Sequence, residues 1–186
     1  MTRPENLQDI EQLYAARGGL HYGEGVTQLE HALQSAVLAQ AQGSSPSLIV
    51  AALLHDIGHF FEQEKDVVEG RFDDRHEAVG ARLLQKIFPE SIYRPVALHV
   101  AAKRYLCFTV PQYWADLSPA SQQSLKLQGG PFSGTQAQAF ERVLYWQDAV
   151  QLRRFDDMGK RDEISGRTFA EFMPMMRELL VAVTKT

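Results

Sequence analysis

Apolar residues recur along this chain at intervals of three and four, and no useful stretch alternates cleanly between apolar and polar. The pattern therefore predicts helices and no convincing strand, an all-α protein. A short amphipathic helix is expected over 5–16, stopped by the paired glycines Gly18 and Gly19. "LHYGEGV" follows as a loop. Thr27, with Glu30 three residues later, reads as a capping box that opens a helix running to about Ala41 and closed by Gly43. "SSPSLIVAALLHDIGH" repeats that grammar, with Ser45 as cap, Pro46 in the first turn and Gly58 near the exit. Residues 62–74 are charged and read as an exposed connection. Helices are expected at about 75–87 and 90–104, Pro95 kinking the second or delaying its start. In the less regular stretch 106–134, "SPASQQSLKLQ" reads as a helix and "GGPFSG" as a loop. Another helix is expected over 135–154, and a last one over about 168–184, interrupted by Pro174. No internal repeat is visible.

Composition narrows the class. At 186 residues and 45% hydrophobic content, one domain over 1–186 with a single core is expected. A net charge of -4 argues against nucleic acid as the main partner but admits a local basic pocket for a small anion. No run of about 18 apolar residues occurs, and "MTRPENLQDI" lacks the layout of a signal peptide, so no membrane partner and a cytoplasmic location are expected. A second copy of the chain is admitted as a partner. Cys107 is the only cysteine, which excludes an internal disulfide and any thiolate-rich metal site. Metal chemistry would have to use histidine and carboxylate.

The decisive stretch is "AALLHDIGHF", residues 51–60. A strongly apolar helical run that ends in His55 and Asp56 is expensive unless those groups bind something, because a buried charge without a partner costs several kcal/mol or shifts its pKa. Of the six histidines, all but His21 fall on or at the end of predicted helices. Helical bundles build metal sites from inward-facing side chains on several helices, so His31, His55, His76 and His99 have the expected form. Taken singly, His31, His76 and His99 read as ordinary core or surface residues; the His55–Asp56 pair does not.

His31, His55–Asp56 and a later aspartate reproduce the H…HD…D order of the HD-domain superfamily, all-α metal-dependent proteins that are mostly phosphohydrolases. The last position is Asp156 in "RRFDDMGK", with Asp157 as its rival. "YGEGVTQLEHALQ", "AALLHDIGH", "HVAAKRYL", "QGGP" and "FDDMGK" further resemble the small HD-domain diiron oxygenases of the PhnZ type, which cleave the carbon–phosphorus bond of 1-hydroxyphosphonates. The resemblance spans about residues 20–160. It implies a single HD domain with two iron ions, Fe(II)/Fe(III), held by His31, His55, Asp56, His76, His99 and Asp156, Asp56 bridging, and O2 as co-substrate. It places His59 and Lys103, each one helical turn beyond a ligand, on the phosphonate of a small organophosphonate substrate. Ser121 matches a third contact, and Arg153 adds charge near Asp156. On residue grounds alone, Lys103 reads as a solvated helix-end charge and Ser121 carries no weight.

The loop before the second helix is the expected seat of substrate choice. Glu24 matches an acid that holds the substrate's amino group in the family, whereas the family's tyrosine position is occupied by His21, with Tyr22 one residue later. This departure leaves His21 or Tyr22 as the group at the resting iron. Tyr22, Phe60 or Tyr105 would also suit a quaternary ammonium. The expected reaction converts a 1-hydroxy-2-(amino or trimethylammonio)ethylphosphonate to phosphate and glycine or glycine betaine. The alternative is an HD-type phosphohydrolase acting on a phosphate ester or nucleotide, which would share the ligands but need no O2.

Overall fold

The first helix, α1 (Leu7–Arg17), starts where the Asn6 side chain accepts from the Asp9 N–H at 3.0 Å and ends at Gly18, as the paired glycines predict. A Cβ there would stand 2.4 Å from the Tyr14 carbonyl oxygen, so only glycine allows the chain to turn so tightly. The second, α2 (Gln28–Ala41), opens on Thr27, whose hydroxyl accepts from the Glu30 N–H at 3.2 Å, and is closed by Gly43 at φ +70°. Only this half of the expected capping box forms. The Glu30 carboxylate instead accepts from the Ser165 N–H, far away in sequence.

Ser45 caps α3 (Pro46–Leu54), and every residue from Leu48 to Leu54 is buried. Burying each large side chain of that run contributes about 1.5–3 kcal/mol, which makes α3 the axis of the core. It packs against α2 and α5 (Glu90–Thr109), and α9 (Trp146–Met158) lies across all three. The all-α expectation holds, with no strand among the described residues of this computed structural model, which are 3–21, 25–61, 75–162 and 164–181. The exposed connection expected over 62–74 lies outside them.

After α3 the chain makes a 3-10 turn (Ile57–Phe61) before α4 (His76–Leu84), so the helix expected to run to Gly58 stops at Leu54. Proline does not delay α5, which starts directly after Pro89 and carries Pro95 within its second turn. A four-residue α6 (Tyr113–Asp116), which the apolar pattern did not signal, precedes α7 (Pro119–Leu127), the expected "SPASQQSLKLQ" helix. The single helix expected over 135–154 is two, α8 (Gly134–Phe140) and α9, divided by a turn in which Tyr145 adopts φ +67°, a left-handed conformation that no helix accommodates. At the C-terminal end a 3-10 turn (Phe169–Phe172) leads into α10 (Met173–Glu178), so Pro174 begins a helix where it was expected to interrupt one, and the helix stops short of the predicted 184. Phe169 returns to the core by stacking on Tyr14 at 4.6 Å between ring centroids. Among the described residues no helix is long and apolar enough to cross a membrane.

Candidate metal centre

Five elements converge on one buried cluster. α2 supplies His31, the turn that follows α3 delivers His55 and Asp56, α4 opens with His76, α5 carries His99 and α9 carries Asp156. Gly58 lets α4 come this close, because a Cβ there would stand 1.9 Å from the His76 carbonyl oxygen. The donors form two groups, His31–His55–Asp156 and Asp56–His76–His99, the donor atoms of each lying within 4.8 Å of one another. Asp56 joins them. Its Oδ2 is 3.5 Å from His31 Nε2 and 3.4 Å from His55 Nε2, while its Oδ1 is 3.6 Å from His76 Nε2 and 3.7 Å from His99 Nε2.

The back of each ring decides what the front can do. His31, His55 and His99 place Nδ1 at 2.8, 2.8 and 2.7 Å from the carbonyls of Gly159, Ala52 and Val96. A carbonyl only accepts, so each Nδ1 carries a proton and each ring turns its Nε2 inward. Yet the Nε2 atoms of His31 and His55 are 3.1 Å apart, as are those of His76 and His99. Two ring nitrogens at this distance share either a proton or a metal ion, and hydrogen-bonded imidazoles with carboxylates are the donor set that divalent metals of the iron and manganese type accept. The residues fit a two-metal site.

Charge is arranged unequally over the cluster. Burial works against a charged His31, but hydrogen bonds to Asp156 and Asp56 push its pKa up to about 9. Burial and the neighbouring His55 charge take His99 down to about 3, and burial with His59 takes His76 well below the usual range. Although burial opposes it, the charges of His55 and His59 hold Asp56 well below the carboxylate range, and those of Arg153 and Lys160 do the same for Asp156.

A cluster of cationic side chains borders these donors. Lys103, only 3% exposed, donates to Ser124 Oγ at 2.8 Å. Burial, with Arg153 nearby, lowers its pKa to about 7. Ser121 Oγ receives N–H bonds from Lys160 Nζ at 3.1 Å and Arg153 Nη2 at 3.3 Å. With both acceptor positions filled by cations, the Ser121 hydroxyl is left as a donor, which suits an anion. Arg153 is otherwise committed: its Nη1 holds Asp156 Oδ2 at 2.7 Å, its Nη2 holds Asp157, and its Nε donates to the Tyr113 hydroxyl at 3.2 Å. It braces the site more than it offers a free charge.

Residues 29–122, which contain His31, His55, Asp56, His76 and His99, match the HD domain. The chain belongs to the HD-domain family. Within it, the chain is 40% identical over 185 residues to [1-hydroxy-2-(trimethylamino)ethyl]phosphonate dioxygenase (glycine-betaine-forming) of Leisingera caerulea, covering 97% of this chain and 93% of that protein. It is 44% identical over 162 residues to hydroxymethylphosphonate dioxygenase of Gimesia maris, covering 86% and 80%. An uncharacterized protein of Acanthamoeba polyphaga mimivirus is 38% identical, over 84% of this chain and 73% of that one.

Most sequence-predicted residues of this HD domain come together. Asp156 faces the histidines, whereas Asp157, its rival in sequence, accepts from Arg153 and Tyr113. His59 Nε2 lies 3.8 Å from Asp56 Oδ1, and its ring stacks on His76 at 4.0 Å. His21 is exposed and belongs to neither donor group. Tyr22 and Glu24 lie outside the described residues. Phe60 is fully buried, edge-on to Tyr14, and is a core residue, whereas Tyr105 is half-buried, with its hydroxyl bonded to Glu141 and its ring packed on Phe140 and Trp146. Sequence reasoning missed Lys160, Ser124 and Tyr113. Lys160 lay inside the quoted "FDDMGK", one helical turn beyond Asp156, and that spacing was the available signal.

Proposed function

We propose that this protein is an iron-dependent oxygenase that uses O2 to cleave the carbon–phosphorus bond of a 1-hydroxyphosphonate, releasing phosphate and a carboxylic acid. One observation carries the proposal: two His/carboxylate groups sharing Asp56 lie beside buried cationic side chains, in a chain related over most of its length to two phosphonate dioxygenases. His31, His55 and Asp156 hold one ion, His76 and His99 the other, and Asp56 both. The bound pair, as Fe(II)/Fe(III), supplies the electron transfers to O2 that no side chain can perform.

The chain itself binds and orients. Lys103, Lys160 and the Ser121 hydroxyl take the phosphonate oxygens, charge-assisted bonds strengthened by the buried setting. His59 adds an N–H from the side of Asp56. Holding the anion there sets the substrate's 1-carbon and its hydroxyl toward the cluster, and orientation of this kind supplies a large part of a rate enhancement. The Nδ1–H bonds to Gly159, Ala52 and Val96 keep the rings from turning. Substrate and O2 together contain every atom of the acid and the phosphate, so turnover draws no net electrons from outside. Glu24 matches the family acid that holds the substrate's amino group, and its charge would favour an amino or trimethylammonio substituent, giving glycine or glycine betaine.

The test is phosphate release by iron-loaded protein from 2-amino-1-hydroxyethylphosphonate, its N-trimethyl analogue and hydroxymethylphosphonate, with and without O2. Release from any of them that requires O2 is expected, with the cationic substrates preferred. Hydrolysis of a phosphate ester supported by redox-inert divalent ions, without O2 and without phosphonate turnover, would overturn the proposal in favour of a phosphohydrolase.

A further inference from the structure

Lys160 follows Gly159, the residue after the end of α9, at the start of a segment whose described residues up to Thr168 form no helix, yet its ammonium donates to Ser121 Oγ and lies 3.3 Å from Asp156 Oδ1. What fixes that segment is one face of α2. His31 Nδ1 donates to the Gly159 carbonyl at 2.8 Å, on the near side of Lys160. On the far side, the Gln34 amide engages the Arg161 backbone at two points: its Nε2 donates to the Arg161 carbonyl at 2.8 Å, and its Oε1 accepts from the Arg161 N–H at 3.1 Å. Glu30 accepts from the Ser165 N–H four residues further on and from Gln34 Nε2 at 3.4 Å. Gln34 is 8% exposed, and a buried amide whose donor and acceptor both meet the backbone of one residue makes a rigid link. Gly159 is seated equally closely, since a Cβ there would lie 2.5 Å from Ser35 Oγ on the same helix.

We propose that Gln34 is a positioning residue for phosphonate binding: by clamping the Arg161 backbone to α2, it holds Lys160 with its ammonium at Ser121 and Asp156. The inference rests on the function proposed above. Lys160 has a long side chain that can adopt many rotamers, and the clamp on the residue next to it, together with the Gly159 bond before it, fixes where that side chain begins. The same helix carries His31, so α2 sets the metal-facing ring and the anion-facing ammonium in one frame. Gln34 touches neither group; it acts through the backbone between them.

The experiment is a double-mutant cycle on the iron-loaded protein, read by the calorimetric Kd for hydroxymethylphosphonate without O2, where binding occurs without turnover. Gln34→Met keeps the volume and removes both backbone bonds. Gln34→Asn keeps the amide but shortens its reach, and serves if the methionine variant does not fold. Gln34→Met is expected to weaken binding about tenfold, the scale of losing a positioned charge-assisted contact, and Gln34→Asn less. Iron content should stay at the wild-type level. In a Lys160→Met background, either Gln34 substitution should change Kd by less than about twofold, because there is no ammonium left to position. Equal weakening in both backgrounds, or none in the native background, would overturn the inference. Failure of the wild type to bind any 1-hydroxyphosphonate would instead overturn the proposed function.

Discussion

The two donor groups are built from the same residue types and treat a proton in opposite ways. In His31–His55–Asp156, His31 lies between two carboxylates, 3.5 Å from Asp56 and 3.4 Å from Asp156, and its pKa is pushed up to about 9. In the other group, His76, His99 and the adjacent His59 crowd one oxygen of Asp56, and His99 falls to about 3. The ratio of carboxylate to imidazole decides the sign, since burial alone would lower both rings. The first group is also braced from behind, by Arg153 on Asp156 and Gly159 on His31; the second borders His59 and the more open flank of Asp56, whose side chain is 15% exposed. One side of the centre is built for rigidity and the other for access.

The largest effect should come from the residue the groups share. Asp56→Ala is expected to reduce bound metal below one ion per chain and to lower phosphate release on the order of a thousandfold, checked by elemental analysis after gel filtration. Full two-ion occupancy would show that the groups do not depend on a common bridge. Arg153→Met should act on the braced side only. It leaves Asp156 as a buried carboxylate without its guanidinium, at about 3–5 kcal/mol in stability by denaturant titration, and should release the ion of the first group while the second is retained. Loss of both ions in equal measure would erase the distinction.

Beyond the proposed ligands the effects are on substrate. Burial, then repulsion from Arg153, takes Lys103 down to about 7, so it is charged below that pH and neutral above it in the free enzyme. The expected result is a kcat/KM that falls as pH rises through about 7, and a Lys103→Arg variant, always protonated, that lacks this limb. His59→Ala should be the mildest change, raising KM several-fold with metal content intact, because one N–H donor is removed and no proposed ligand is touched. Loss of an ion in that variant would move His59 from the anion to the metal.

The parts of this arrangement that are local in sequence were legible there. The caps at Thr27 and Ser45, the glycine stop at Gly43 and the costly His55–Asp56 pair at the end of an apolar run each announce themselves within a few residues. What was not legible depends on partners far along the chain. Glu30 has the spacing of a capping-box acid, but Ser165 competes for it from more than a hundred residues away. The 135–154 stretch keeps its helical period through Tyr145, and only the backbone conformation at that residue breaks it. Lys160 and Arg153 look like any charges near a helix end until α7 brings Ser121 between them.

The cluster also has a topological consequence. His31 and Asp156 lie more than a hundred residues apart in sequence, and the donors between them come from three further elements. An ion shared by such residues is a non-covalent cross-link that closes most of the chain into loops at a single point. Closing long loops removes conformational freedom chiefly from the unfolded ensemble, and binding to the folded chain alone stabilises it by mass action. The centre is thus also the fold's clasp, and chelation should make the chain markedly more sensitive to proteolysis before it alters the helices that a spectrum would report.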